Sequence, residues 1–280
     1  MYGDVKDREP DPQDSEAYIE FMIKPWKHGM PYQLLEAVVE QPGHFAPAVR
    51  DRLMRLPPTF EEYLADLKRS EHLYCVSATR ETDPFGPESA RLLVVVRLLG
   101  RDHAEPILRE FADAVLPLAL EAERRYRTIE DQWQAEWDRL GRPVGDARDD
   151  HETLRTLGAR YRLATDVKNN LTGAWTRSVS TAGGLGSPIF VDDVAAMLGS
   201  PDPVARRIGS WMAQYVINFS NERPDGVAAL RAAADRLRVS EDLEDQLAAV
   251  RIEIALDPSR EGLTDPEYRR LRDLISRQRR

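Results

Sequence analysis

Residues 122–140, AERRYRTIEDQWQAEWDRL, decide the fold of this chain. Their apolar side chains recur every three or four residues, so they form one stripe along a helix, and Glu and Arg fill the other face. The stripe consists of Ala122, Tyr126, Ile129, Trp133, Trp137 and Leu140. This pattern predicts one long helix over residues 103–140. We expect a kink at Pro117, which lies inside the helix and lacks a backbone N–H donor.

A second long helix is predicted over residues 151–182, with an apolar stripe of its own. The stripe includes Leu154, Leu157, Tyr161, Ala164, Leu171 and Trp175. The stretch 141–150 between the two helices has the Gly, Pro and Asp content of a linker, and it is short enough for an antiparallel hairpin. In that pairing Trp133 lies against Gly158, where the missing side chain leaves space for the indole.

Short helices are predicted before and after this hairpin. Their starts carry Pro, or Ser, Thr or Asp at the cap, with acidic residues at the positive end of the helix dipole. We predict helices over 31–40, 47–56, from Thr59, and over 191–198, 204–219, 227–237, 243–256 and 266–276. The fold class is therefore all-α or nearly so, a long antiparallel helical hairpin flanked by short-helix subdomains.

Residues 73–99 leave an alternative open. Leu73–Val76 and Leu92–Val96 have the β-branched and aromatic side chains of strands, and the turn-forming residues 83–87 between them would allow a small β-hairpin. A buried helix over 88–99 explains the second run equally well. We favour the helix, because the other long segments are helical.

The predicted domain organisation has three parts. Residues 1–14 form an acidic, Pro-containing arm that we expect to be disordered. Residues 15–140 form an N-terminal helical region, and residues 151–280 form a C-terminal one. The linker 141–150 joins the two regions, and we expect them to share one core.

The amino-acid composition excludes several classes of function. The formal charge of −9 argues against a molecule that binds nucleic acid or an anionic membrane with its whole surface. The single cysteine, Cys75, excludes an intramolecular disulfide and any multi-cysteine metal site, and it fits a reducing compartment. The N-terminus lacks the basic and apolar parts of a signal peptide, and no apolar run is long enough to span a bilayer. We therefore expect a cytoplasmic protein with no membrane partner.

No sequence motif in the chain indicates a particular catalysed reaction. None of the five histidines has the spacing of a metal-binding helix motif. The loop 183–188 lacks the Lys-Ser/Thr pair of a P-loop, so we interpret Gly183 and Gly184 as a helix C-cap rather than an anion-binding nest. Asp192 and Asp193 lack the further acidic residue of a magnesium–diphosphate site and instead open a helix. We expect no metal and no cofactor, the sequence leans against an enzyme, and catalytic residues stay unknown.

The stretch 169–190, NNLTGAWTRSVSTAGGLGSPIF, stands out because it carries one charge, Arg177, in 22 residues. It is either packed in the core or reserved for a ligand. Together with the preceding turns it places polar side chains along the second long helix, a set that could line a ligand groove with Gly173 as its floor. The candidate groove residues are Arg162, Asp166, Asn169, Asn170, Thr172 and Arg177, with Asn218 from a later helix. Alternatively this face is solvated and carries a helical Arg162–Asp166 pair.

The C-terminal helix has a strongly basic face. Its candidate contacts to nucleic acid or to an acidic partner are Arg269, Arg270, Arg272 and Arg277. Arginine is abundant throughout, since only five of the 39 basic residues are lysine. A coding bias explains this abundance more simply than function does.

Three functional hypotheses follow. The leading one is a cytoplasmic helical scaffold or adaptor that binds another protein or a second copy of itself, since long amphipathic helices occur without a catalytic constellation. The second is a small-molecule-binding protein or enzyme that uses the polar groove around Asn169–Arg177. The third is a nucleic-acid accessory protein that uses the Arg-rich C-terminal helix.

Overall fold

A computed structural model describes residues 10–24, 32–55, 59–69, 85–143, 151–217, 224–257, 259–260 and 262–278. These ranges contain helices and no strand, which confirms the all-α fold. The helices are α1 (Ser15–Met22), α2 (Tyr32–Glu40), α3 (Pro42–Leu53), α4 (Phe60–Arg69), α5 (Pro87–Leu98), α6 (Arg101–Arg139), α7 (Glu152–Gly184), α8 (Val191–Gly199), α9 (Pro203–Ile217), α10 (Pro224–Arg238), α11 (Leu243–Leu256) and α12 (Pro266–Gln278).

The predicted helix bounds are correct to within a few residues, with one exception. The helix predicted to begin at Pro47 begins at Pro42, which follows Gln41 in the first turn. Proline suits that position because the first-turn N–H groups have no intrahelical partner. Pro47 then lies inside α3, where the prediction had placed a start. Helix α6 continues through Pro117, and the kink expected there stays a prediction.

Residues 87–98 form helix α5, so the helical interpretation of this run is confirmed and the strand interpretation of residues 92–96 is wrong. Leu92, Leu93, Val95 and Val96 are all buried. These four side chains share one face of the helix, and the run looks continuous in sequence because the residue between them on the solvent side, Val94, is also apolar although it is 54% exposed. The other half of the β-hairpin alternative, residues 73–76, lies outside the described residues.

Helices α6 and α7 pack together as the predicted antiparallel hairpin. Trp133 lies beside Gly158, where a Cβ would come 3.9 Å from the indole Nε1. Earlier in α6, and correspondingly later in α7, the hydroxyl groups of Tyr126 and Tyr161 are 2.9 Å apart. The opposite order of the two contacts along α6 and α7 shows that the helices are antiparallel, and the first contact confirms the predicted pairing of Trp133 with Gly158.

The chain forms two compact units, residues 1–99 with 110–177, and residues 100–109 with 178–280. In the first unit α3 packs against α1, α2 and α5. In the second unit α8 and α11 each pack against both α9 and α10, and α12 packs on α11. The predicted acidic arm and the division at residues 141–150 stay predictions, because residues 1–9 and 144–150 lie outside the described ranges.

Helix caps form where the sequence predicts them. The Thr59 hydroxyl accepts a hydrogen bond from the backbone N–H of Glu62 at 3.2 Å and donates one to the Glu62 carboxylate at 3.1 Å. The Asp242 carboxylate accepts from the N–H of Glu244 at 2.8 Å and caps α11. In the described ranges, none of the helices combines the length and the apolar character needed to cross a membrane.

Ion pairs hold the start of α12 in the second unit. The Arg260 guanidinium donates to Asp265 and to Glu253, at 2.8 and 2.9 Å. Arg238 contacts Glu267 at 2.7 Å. The hydrogen bond from Arg260 lowers the pKa of Asp265 to about 2, with help from the backbone N–H groups of Tyr268 and Glu267 that the same carboxylate caps.

We predict that this network makes the protein sensitive to acid. The pKa of Asp265 is lower in the folded state than its ordinary value of 3.8, so its contribution to stability is present above that value and is lost as the pH falls towards 2. An Asp265→Asn variant keeps a helix cap but loses the ion pair. The difference in Tm between wild type and D265N should be largest above pH 4 and vanish near pH 2. A difference that is constant with pH would contradict the ion-pair assignment.

Two glycines inside helices should respond oppositely to alanine. A Cβ at Gly158 meets only an ordinary contact at 3.9 Å, so Gly158→Ala should raise the free energy of unfolding by about 0.5–1 kcal/mol through helix propensity. A Cβ at Gly209 would lie 3.0 Å from the Met197 Cβ and 3.3 Å from the Leu198 Cγ, so Gly209→Ala should cost about 1–3 kcal/mol. Urea unfolding of both variants measures the contrast, and equal effects would contradict the packing described.

Candidate functional site

The uncharged stretch 169–190 is largely core. In the first unit Leu171, Ala174 and Trp175 are buried. In the second unit Val179, Ala182 and Phe190 are buried in the same way, as are several small polar residues. Burial therefore accounts for the missing charges, because an unpaired charge in these positions would be costly to desolvate.

The predicted groove residues are not equally accessible. Arg162 and Asn169 are exposed, whereas Asp166 and Asn170 are half-buried. The Thr172 side chain is buried, and its hydroxyl donates to the Lys168 carbonyl at 2.6 Å, a bond within the same helix. Arg162 forms no ion pair with Asp166 in the described structure, and α7 is unbroken at the two asparagines. Asn218 lies outside the described residues.

Arg177 holds the start of α5 within the first unit. Its Nη2 donates to the Phe85 carbonyl at 2.7 Å and to the Ser89 hydroxyl at 3.2 Å. The Phe85 ring in turn packs edge-on against Tyr63, with 4.8 Å between ring centroids. A charged donor thus satisfies backbone carbonyl groups beside a helix N-terminus that is 92 positions away in the chain.

The proposed groove floor at Gly173 is occupied by the protein itself. A Cβ at Gly173 would lie 3.1 Å from Nη1 of Arg177. The glycine therefore makes room for the guanidinium that reaches α5. The ligand groove stays a prediction, and its strongest cationic donor is engaged within the fold.

The turn after α7 is a Schellman-type C-cap. The Ser187 N–H donates to the Ala182 carbonyl at 2.9 Å and the Gly186 N–H donates to the Gly183 carbonyl at 3.0 Å. Gly186 has a φ of +71°, so it is the cap glycine, whereas the sequence had indicated Gly183 and Gly184. Both of these lie in the last turn of the helix. Because the amides serve the helix end, they do not form an anion-binding nest.

In the second unit, the first turns of α6 anchor this turn. Arg109 donates to both carboxylate oxygens of Asp193 and to the Ile189 carbonyl, and its guanidinium lies 5.9 Å from the centre of the Phe190 ring. Burial raises the pKa of Glu105, but hydrogen bonds from Ser187 and Arg101 outweigh it and hold that pKa below its ordinary value. Asp193 is therefore a structural partner of Arg109 as well as a first-turn residue of α8.

The described part of the chain contains no cluster of side chains that could bind a metal ion. No group of three or more His, Cys, Asp or Glu side chains is placed to hold an ion there. The His44 Nε2 lies 3.0 Å from the Pro12 carbonyl oxygen, a contact that ties α3 to the segment before α1. His28, His72 and Cys75 lie outside the described residues.

We call residues 127–143, which are the end of α6 and the four residues after it, together with residues 152–166 of α7 the hairpin tip. From 127 to 143 no residue is buried, and from 152 to 166 the buried residues are Leu154 and Gly158. The apolar stripe on α6, including Ile129, Trp133 and Trp137, is therefore half-buried here, whereas Tyr126 just before it is 7% exposed. Two helices alone do not bury the apolar stripes that both of them carry.

Aromatic side chains line the tip and its base. The rings of Trp137 and Trp133 stack with 5.5 Å between centroids, and those of Trp133 and Tyr161 stack at 6.0 Å. Tyr161 continues the row to Tyr126, whose hydroxyl donates to Glu130 at 2.7 Å. Burial, followed by the hydrogen bonds to Tyr161 and Glu130, raises the pKa of Tyr126, so its hydroxyl stays protonated.

The two sides of the tip differ in whether their arginines form ion pairs. In residues 127–143, Arg127, Arg139 and Arg142 each pair with a glutamate or aspartate three or four residues earlier. On α7, the exposed Arg155, Arg160 and Arg162 form no ion pair with the described residues. The exposed Asp131 on α6 is likewise without an ion pair in the described structure.

The C-terminal helix α12 has the amphipathic character that its sequence indicates. Tyr268 and Leu271 pack with Leu247 and Val250 of α11 in one apolar cluster. The four candidate arginines are exposed and form no ion pair with the described residues: Arg269, Arg270, Arg272 and Arg277. Contact with nucleic acid or an acidic partner stays a prediction.

Two ion pairs between different helices were not predicted from the sequence. Arg109 and Asp193 are 84 positions apart, and Arg206 and Asp245, which share two hydrogen bonds of 2.8 and 3.0 Å, are 39 apart. Local patterns do not reveal such pairs, because the partners belong to different helices.

The comparisons with known proteins supply no relative: no protein-family model, curated protein or solved structure matches the chain.

We predict that Arg177 is structurally important. Arg177→Ala should lower the free energy of unfolding by about 1–3 kcal/mol, because the carbonyls beside α5 lose a charged donor. The control is Arg162→Ala on the same helix, which should stay within about 0.5 kcal/mol because Arg162 is exposed and forms no ion pair with the described residues. Urea unfolding measures both, and an Arg177→Ala protein as stable as wild type would contradict this role.

Proposed function

We propose that this chain is a cytoplasmic helical scaffold that mediates protein–protein interaction, and that its hairpin tip pairs with the tip of a second copy. The observation that carries the proposal is the half-buried apolar stripe on the tip. The stripe faces the partner helix of the hairpin, yet Trp133, Trp137 and Tyr161 keep accessible surface. Two hairpins that pack side by side would form a four-helix arrangement, in which such stripes are covered.

Aromatic residues suit this use. Stacked Trp and Tyr rings supply large contact areas with few rotatable bonds, so covering them costs little conformational entropy. The stack between Trp133 and Trp137, with 18° between ring planes, already holds both indoles in fixed orientations. The Trp137 indole is held further by a 3.0 Å hydrogen bond from its Nε1 to the Pro143 carbonyl.

The charges of the tip favour a second copy as the occupant. Residues 127–143 of the tip have four acidic residues against three arginines, and residues 152–166 have two acidic residues against three arginines. A twofold axis that sets α6 of one copy against α7 of the other would place the acidic side, with Asp131, opposite Arg155 and Arg162. An isologous interface of this kind gives a closed dimer, the commonest oligomer of soluble proteins.

The experiment is sedimentation equilibrium over a range of protein concentrations. Wild type should associate to a dimer. The double variant Arg155→Glu/Arg162→Glu should dissociate about tenfold or more readily, because like charges would then face one another. Added salt should weaken the wild-type dimer, since part of its stability comes from exposed charges.

The matched control is Arg231→Glu/Arg236→Glu. It makes the same change in net charge at exposed arginines of α10 that form no ion pair with the described residues. It should leave the dissociation constant unchanged. A wild-type protein that stays monomeric throughout, or two double variants that weaken association equally, would refute the proposal.

A further inference from the structure

Helix α12 presents a local excess of positive charge to solvent. Residues 269–277 contain four arginines and one acidic residue, Asp273, in a chain whose net charge is −9. The arginines lie within about 160° of the helix circumference and extend about 12 Å along its axis. The opposite side of α12 packs against α11 through Tyr268 and Leu271. We call these four residues the arginine face: Arg269, Arg270, Arg272 and Arg277.

The fold does not use the arginine face. All four side chains are exposed, and none forms an ion pair with the described residues. Glu267 does not neutralise the face, because its carboxylate contacts Arg238 at 2.7 Å. Asp273 stands one helical turn from both Arg269 and Arg277, yet it pairs with neither of them in the described structure. The guanidinium groups of the face are therefore open to an acceptor from outside the chain.

A further guanidinium extends the positive charge onto α11. Arg251 lies 5.7 Å from the centre of the Tyr268 ring, and Tyr268 stands one helical turn before Arg272 on α12. The same guanidinium is 5.9 Å from the centre of the Trp211 ring of α9, and that of Arg207 is 5.2 Å from it. Basic and aromatic side chains therefore alternate from α12 to α9, a combination typical of surfaces that bind single-stranded nucleic acid.

The polarity of the arginine face indicates which class of polyanion fits it. Among residues 269–277 the exposed side chains are the four arginines, Asp273 and Ser276, and none of these is apolar. An interface with a protein has an apolar core, which this face lacks. A helix that lies on a membrane needs an accessible apolar face, whereas that of α12 is packed on α11. Interfaces with nucleic acid are polar and positively charged, as this face is.

We propose that the arginine face of α12 binds single-stranded nucleic acid through its phosphates. A strand carries one charge per about 3.4 Å of helix axis, so about four phosphates match the length over which the arginines are spread. The planar fork of an arginine binds two oxygens of one phosphate. Bases of a single strand can also stack on guanidinium planes, whereas those of a duplex are already stacked on one another. Binding here does not depend on the self-association proposed for the hairpin tip, which belongs to the first unit.

The test is fluorescence anisotropy with a labelled single strand of about 12 thymidines, a length within the range of known site sizes. Wild type should bind saturably at low salt. A plot of log affinity against log salt concentration should have a slope of about −3, as four phosphate contacts predict. A duplex of the same length should bind several-fold more weakly. Polyglutamate should displace the strand several-fold less well than unlabelled strand at equal charge, because its side chains cannot stack on arginine.

Matched double variants separate the arginine face from general attraction. Arg269→Gln/Arg272→Gln should weaken binding about tenfold or more at low salt and reduce the slope to about −1.5, because two phosphate contacts are lost. Its Tm should stay that of wild type, since both side chains are exposed and form no ion pair with the described residues. The control Arg231→Gln/Arg236→Gln makes the same change in net charge on α10 and should leave affinity and slope unchanged.

A third variant should strengthen binding. Asp273→Asn removes the negative charge that lies among the arginines, so the strand should bind about two- to threefold more tightly. This variant also provides the test if the α12 double variant does not fold.

No saturable binding of the strand by wild type would overturn the proposal. Equal loss in the two double variants would do the same, because it would indicate attraction to net charge and not to α12. Duplex or polyglutamate that binds as tightly as the strand would overturn the assignment to single-stranded nucleic acid. Unchanged or weaker binding by D273N would contradict the placement of the phosphates along the arginine face.

Discussion

The pairing of α6 with α7 is the constraint on which the rest of the structure depends. Each helix carries an apolar stripe, and an isolated helix in water has little stability until such a stripe is buried. Trp133 against Gly158 and Tyr126 against Tyr161 set the register of this pairing. Both helices contribute residues to each of the two compact units, so an error in their register would displace side chains in both.

Side chains are buried to different extents along this hairpin, and the proposed self-association rests on that difference. Around Leu171 and Trp175 the side chains of α7 are almost completely buried, and charge is absent from the sequence there. Beyond Tyr126 the stripe of α6 is half-buried and charges return, with acidic residues more numerous on α6 and arginines on α7. A buried segment and a half-buried segment therefore share one helix pair, and they differ in how much of the apolar stripe the fold itself covers. The proposed interface is the half-buried segment.

Much of the fold could be predicted because it rests on local rules. The spacing from Ala122 to Leu140 predicts α6, and Thr59 and Asp242 mark helix starts that their side chains do cap. The candidate groove was less predictable, since helical spacing places Arg177 on a face but does not reveal that its guanidinium reaches the Phe85 carbonyl. The Arg251–Trp211 contact likewise joins two helices and leaves no local pattern. Because arginine is abundant throughout the sequence, the sequence does not indicate which arginines lack an acidic partner in the folded chain.

Amide hydrogen exchange, measured at low and at high protein concentration, tests the central claim most directly. If the tip is covered by a second copy, amides of residues 127–139 and 152–166 should become more slowly exchanging as concentration rises. Amides of α9–α11 in the second unit should not change. Exchange at the tip that is independent of concentration, in a sample shown to be folded, would contradict the account.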